Sequence, residues 1–374
     1  MWLFYAVALG LLCAGVILWR FDRNRIVVAE ALGGGVLAFV VAAIIHAVAV
    51  SSMVSDVETW SGQIYKVVHY PRWIEEYEIT HYTHDSKGNV TGSYTTTHYR
   101  THHEHWAAYT TLHDDYNIRR EFYEEAKRNF NDYTVERPYK SGFYSGDHNI
   151  YVAYNKTGYI YPVTATRGWT NRVKAAPSVF SFPKVPKELD KYIFDYQCNA
   201  DWRRSNRLVG SAGVIDLLEF DRMNARLGPT KLVNVIMVGF LSSDASYGKW
   251  LEAKWIGGKK NDLVICFGGD HKNPSWVYVF GWTEKQLVKR ELESTLLLTG
   301  ISTEALPTIE NIIRMRYVIK DWTKFDYISV EPPFWSYVVF FIAIVISQVA
   351  YWIWVKLNDF VEEDYSWRRN FSRP

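Results

Sequence analysis

Cysteine is scarce: the chain of 374 residues carries three. Cys13 lies in the first apolar run, so Cys198 and Cys266 are the one pair available for a disulfide outside it. Cys266 sits inside the strand-like run DLVICFG, which makes two free buried thiols an equal reading. An excess of one charge is also missing. Lys and Arg number 42 against 40 Asp and Glu, and a net charge of +2 gives no case for nucleic-acid binding. No nucleophile elbow, Walker loop or HExxH helix is present, so no catalytic constellation can be named from motifs. The first apolar run has no Lys or Arg ahead of it and no small-residue cleavage site, which argues against a secretory signal and for an uncleaved span.

What the chain does have is aromatic side chains, 16% of all residues, and long apolar runs. The run Ile26 to Val50 contains only Glu30 and His46 as ionisable groups and is long enough to cross a hydrocarbon layer of about 30 Å. Gly33, Gly34 and Gly35 thin one side of that helix and admit a neighbour at close range. Residues 1–19 and 334–355 read as two further spans, the latter introduced by Pro332 and Pro333 and rimmed by Trp335, Trp352 and Trp354. Arg20, Arg23 and Arg25 crowd the loop 20–25. Such a basic loop is expected in the cytoplasm. The expected topology is therefore an integral protein of the inner or plasma membrane. Its N-terminus lies outside, its soluble domains are extracytoplasmic, and the tail 356–374 is cytoplasmic.

Residues 55–185 turn polar, aromatic and β-branched. Ile79–Asp85 and Ser93–His103, joined through Lys87-Gly88-Asn89, predict a hairpin. Asn149–Tyr154 and Gly158–Val163 predict a second one. Tyr116–Phe130 has helical spacing or forms a long loop. Eight of eleven histidines fall between His69 and His113. In a strand His103 and His105 share one face while His98 and His102 take the other. With His81 or His84 approaching across the hairpin and Glu104 nearby, three or four imidazoles form a donor set suited to Zn²⁺. The alternatives are a solvated ribbon without metal and a surface that responds to pH near the imidazole pKa.

From Ala212 the periodicity changes. Gly213–Leu227 predicts a helix with Leu217, Leu218 and Leu227 on its apolar side, closed by Gly228-Pro229. Lys231–Leu241 predicts a central strand, and Asp244 a helix start. The turn Gly257–Asp262 opens the strand Leu263–Phe267, which is followed by the strand Trp276–Gly281 and by helices at Glu284–Leu298 and Thr303–Trp322. The alternation implies an α/β sheet covered by helices over residues 186–330. In the turn, Gly257 and Gly258 offer backbone N–H groups and Lys259 and Lys260 add charge, an arrangement able to seat an anion beside Asp262; Asp270 and His271 follow the same strand and are candidates to join it.

A helix ending Asn224-x-x-Leu-Gly228, an apolar strand, a helix ending Trp255-x-Gly-Gly-Lys-Lys-Asn-Asp262 and a second apolar strand together resemble the TPM domain, named for thylakoid-lumen, photosystem-repair and receptor-modulating members. The resemblance spans roughly residues 205 to 320. The layout, with a β-rich insert ahead of this domain and spans at both ends, is similar to membrane proteins of bacteria and their phages, in which the insert carries cysteines where this chain has histidines. That implies a metal site with exchanged ligands. Some members are described as phosphatases, which would map here to Asp262 with Lys259 and Lys260 as phosphate partners. Asn261-Asp262-Leu263 stands where members usually show Asp-Asn-Gly.

The function expected from these features is that of a membrane-anchored periplasmic interaction or scaffold protein without catalysis, in contact with the bilayer and a protein partner and able to form a homo-oligomer. The alternatives are a metal-dependent phosphohydrolase and a component of an oligomeric transport assembly.

Overall fold

Apolar side chains over whole helical surfaces, and alternating or continuous β-branched runs, set the two kinds of element found here. The computed structural model describes residues 2–21, 28–138, 143–176, 182–196, 200–202 and 204–358. The helices α1 (Trp2–Phe21) and α2 (Val28–Val54) come first. Strands β1 (Ser55–Tyr70), β2 (Trp73–His84), β3 (Val90–His102), β4 (His105–Thr110) and β5 (Asp115–Ile118) follow, then α3 (Arg120–Phe130). Next are β6 (Asn131–Glu136), β7 (Phe143–Gly146), β8 (Ile150–Asn155), β9 (Pro162–Thr170), the single turn α4 (Arg172–Ala175) and the short pair β10 (Ala200–Asp201) and β11 (Arg204–Ser205). The chain continues through β12 (Leu208–Gly210), α5 (Leu217–Lys231), β13 (Asn234–Phe240), α6 (Ser246–Lys254), β14 (Asp262–Gly269) and β15 (Pro274–Gly281). It ends in α7 (Leu287–Thr299), α8 (Leu306–Arg316) and α9 (Phe334–Asn358). The fold is mixed α/β.

Two compact units divide these elements. One draws on Met1–Asp56, Gly168–Ser181 and Trp322–Pro374, the other on Val57–Arg167 and Phe182–Asp321. In the first, α1, α2 and α9 pack around Phe4, Ala8, Ala38, Ala42, Phe340 and Ile344. Small residues at the contact let the helix backbones approach closely. A Cβ on Gly35 would lie 2.7 Å from the Leu12 Cα, and one on Gly33 2.2 Å from the Tyr351 hydroxyl. Gln348 donates from Nε2 to the Gly34 carbonyl at 2.9 Å. Two segments, Leu32–Val54 and Phe334–Val355, are long and apolar enough to cross a membrane. The apolar stretch of α1, Phe4–Ile17, is shorter. Of the arginine-rich loop, residues 22–27 lie outside the described residues, as does the tail beyond Asn358.

Gly35→Leu is expected to lower the thermal stability of the detergent-solubilised protein by several degrees, because the Leu12 backbone cannot yield to the new side chain. Gly10→Ala, where an added Cβ meets nothing within 4 Å, is the neutral control. Equal behaviour of the two variants in a thermal scan would refute close α1–α2 packing.

In the second unit, one sheet runs β5-β4-β1-β8-β6, with β9 also pairing β1. The helix α3 lays Phe122, Tyr123, Ala126 and Phe130 on it, against Ile64, Val67, Ala108, Ala153 and Tyr161. The expected second hairpin does not form: β8 pairs β1 and β6, and β9 pairs β1, so both use the long strand. Tyr116–Phe130 divides into a strand end and α3. The first hairpin is present, with β2 and β3 in register from Trp73↔His102 to His81↔Tyr94 and β7 pairing β2 on the other side.

The remaining sheet is ordered β12-β13-β14-β15, parallel except for the antiparallel β15. Alternate residues of β13 and β14 feed two cores. Val235, Met237, Leu263, Ile265 and Phe267 face α5, α7 and α8, while Ile236, Val238, Val264 and Cys266 face α6 and the segment around Ile193. Burial on both faces is why these strands read as continuous apolar runs. Two expectations for α5 are corrected. Its buried residues are Phe220, Asp221, Met223, Asn224, Ala225, Leu227 and Gly228, while Leu217 and Leu218 are about half exposed in a first turn that lines an open cleft with Tyr159 and Arg222. The helix also passes through Pro229 to Lys231, ending where Leu232 takes a left-handed conformation and donates its N–H to the Gly228 carbonyl.

Candidate functional site

The six histidines expected to gather are spread by the register. His84 stands near the ribbon tip opposite Val90. His81 and His98 meet at mid-ribbon, where both ring Nε2 atoms reach the Thr96 hydroxyl, at 2.8 and 2.9 Å. His102, His103 and His105 lie at the base with His148, around a cavity of about 240 Å³ beside Tyr70 and Trp73. His103 falls between β3 and β4, so it does not share a strand face with His105. Among the described residues no three His, Cys, Asp or Glu side chains group as metal ligands.

Five of the histidines each stack on an aromatic ring instead. His102 stacks on Trp73 with ring centroids 4.0 Å apart, His105 on Tyr70 at 4.6 Å, His81 on Tyr94 at 4.9 Å and His98 on Tyr77 at 5.7 Å. His69 stacks on Trp106 and meets Glu104 at 2.8 Å, and His102 meets Glu75 at 2.9 Å. A two-stranded ribbon is marginal in water, and each cross-strand pair adds about 0.2–1 kcal/mol. Three of these stacks cross β2 and β3 and support the ribbon, which β7 pairs only over Trp73–Glu76. The tip is set by Asp85, whose carboxylate accepts the N–H groups of Lys87 and Asn89 and is held below its ordinary pKa by them, with Gly88 at a φ of +84°. Tyr82, Tyr94 and Tyr99 stay exposed along it, at 61%, 57% and 68%.

The glycine turn holds an acceptor of its own. Gly257 donates its N–H to the Glu252 carbonyl and Gly258 to that of Trp255, so both are used to end α6. The Asp262 carboxylate accepts Lys259 N–H at 2.8 Å, Tyr196 O–H at 2.9 Å and Asn234 Nδ2 at 2.8 Å. It is fully buried, and burial raises its pKa against the lowering effect of these donors. Lys259 reaches over the Tyr196 ring and Lys260 toward Glu58. Asp270 and His271 follow the far end of β14, about 25 Å from Asp262 at roughly 3.3 Å per residue, and cannot join it. They pair with each other at 3.3 Å. Cys266 is a free buried thiol, its pKa raised by burial; Cys198 lies outside the described residues.

Because its pKa is raised, folded Asp262 binds a proton more tightly than the unfolded chain does. Its contribution is least favourable at neutral pH and improves as pH falls through the raised value toward the ordinary 3.8. Asp262→Asn cannot take up that proton. Between about pH 7 and pH 4 the stability difference is expected to move in favour of wild type. Denaturant melts of both proteins across that range would show it, and parallel curves would refute it.

Asp262 is one end of a buried chain of polar groups that motif reading missed. Arg207, with no exposed surface, donates from Nε to Asn234 Oδ1 at 2.8 Å, from Nη1 to Asp221 at 2.9 Å and from Nη2 to the Ser61 hydroxyl. Asn234 passes the chain to Asp262, and Asn261 donates to the Thr59 carbonyl at 2.6 Å. These bonds tie β1 to the four-stranded sheet. The two motif residues of α5 act likewise. Asn224 accepts Val235 N–H and donates to the Val235 and Phe220 carbonyls, and Gly228 lies against the Ser61 carbonyl. The only sequence signal for this network was polar residues at positions where the apolar pattern asked for core. No known family profile, curated protein or solved structure matches this chain.

Proposed function

We propose that the protein is a membrane-anchored interaction protein whose β2–β3 ribbon docks a partner in the extracytoplasmic space. The observation that carries this reading is the ribbon itself, two strands of twelve and thirteen residues exposed on most positions and lined with tyrosine and histidine. The apolar α2 and α9, the packing of α1 on Gly35 and the basic residues expected between α1 and α2 support three spans with the folded unit outside. The order α5, β13, α6, glycine turn, β14 supports a TPM-like α/β domain. Catalysis at the turn is disfavoured, because the Asp262 carboxylate is enclosed and already accepts three hydrogen bonds.

The test uses Lys87 at the ribbon tip. Lys87→Cys is expected to react with a membrane-impermeant maleimide in intact cells, and replacing residues 76–99 by a short turn is expected to abolish crosslinking to any partner while the rest stays folded. Labelling that needs permeabilised cells would overturn the topology. Unchanged crosslinking after the deletion would overturn the docking role.

A further inference from the structure

The strand β3 is the edge of the sheet β3-β2-β7, and among the described residues nothing pairs with its outer side. Edge strands are normally guarded by lysine, proline, shortness or a bulge. This one is thirteen residues long, VTGSYTTTHYRTH, with no lysine and no proline. Its one irregularity, at Thr83/His84 of the partner strand, is confined to the tip. Such an edge is a template for another strand.

We propose that the occupant is β3 of a second copy of this chain, paired antiparallel about a two-fold axis at Thr96 to make a continuous sheet. The inference rests on the ribbon being a docking surface and names what docks. The strand is self-complementary in that register. Thr96 faces Thr96 of the second copy, Thr95 faces Thr97, Tyr94 faces His98, Ser93 faces Tyr99 and Gly92 faces Arg100. No like charges meet. The pairing also repeats what the ribbon already does internally, where His81 faces Tyr94 and Tyr77 faces His98 with stacked rings. Across four strands the row would read Tyr77, His98, then Tyr94 and His81 of the second copy. Moving the axis to His98 would set that imidazole against itself and bring Arg100 beside Thr96, losing the row. An isologous contact of this kind closes at two copies on this edge. The nine facing residues from Gly92 to Arg100 span about 30 Å.

The experiment uses the full chain in its membrane. Thr96→Cys under mild copper–phenanthroline oxidation is expected to give a disulfide-linked dimer on a non-reducing gel, above the wild-type background from the native cysteines. Thr95→Cys and Thr97→Cys are expected to crosslink several-fold less alone than when the two variants are co-expressed. Thr96→Lys is expected to reduce the dimer at least tenfold, and co-expression with Thr96→Glu to restore it. Crosslinking at Thr96 no stronger than at Lys87→Cys would overturn self-pairing. If the ribbon deletion then still releases a different crosslinked protein, the occupant is that protein and the docking role stands. If the deletion releases nothing, both fall.

Discussion

Gly228→Ala is expected to destabilise the protein by about 2–3 kcal/mol, although replacing glycine by alanine inside a helix ordinarily gains about 1 kcal/mol. The sign is reversed by one contact. A Cβ at Gly228 would lie 2.1 Å from the Ser61 carbonyl oxygen and 2.9 Å from its carbon. Both are backbone atoms of β1, held by the bond from Arg207 to the Ser61 hydroxyl and by that from Asn261 to the Thr59 carbonyl. The strand cannot give way without loosening the polar chain. Urea unfolding of the solubilised protein reads the change directly, and a neutral or stabilised variant would sink the claim that α5 and β1 touch at this glycine.

Arg207→Met is the second large effect. Methionine fills similar length, but the change removes the charged partner of Asp221 and the donors to Asn234 and Ser61, all buried. Breaking a buried pair from one side costs about 3–5 kcal/mol. For a unit of this size that corresponds to a melting shift of roughly 10 °C. Arg207→Met with Asp221→Leu is expected to recover part of the loss, because two apolar residues no longer leave a carboxylate without its guanidinium. A single-variant shift under about 2 °C, or a double variant worse than the sum of the singles, would refute the pairing.

The two effects explain why a motif pattern was visible while its purpose was not. Asn224 and Gly228 stand out in the sequence because both are poor helix formers inside a helical pattern. Each serves a contact with a strand that the sequence does not place beside it: Asn224 completes the start of β13, and Gly228 makes room for β1. The glycine turn was equally visible. Its N–H groups end α6 and its acceptor is Asp262, so the signal for an anion seat arose from a carboxylate supplied by the chain itself.

By itself the sequence determined the apolar helices, the β2–β3 hairpin and the strands β13 and β14, because hydropathy and turn chemistry act over a few neighbouring residues. Tertiary structure alone decided that β1 lies between β4 and β8, that Leu217 and Leu218 stay open to solvent, and that the histidines separate into three places along the ribbon. It also decided that Arg207 closes a chain of buried polar groups from Ser61 to Asp262. Those outcomes depend on partners far away along the chain, where the choice of neighbour follows from how whole faces pack and from which buried donors find acceptors.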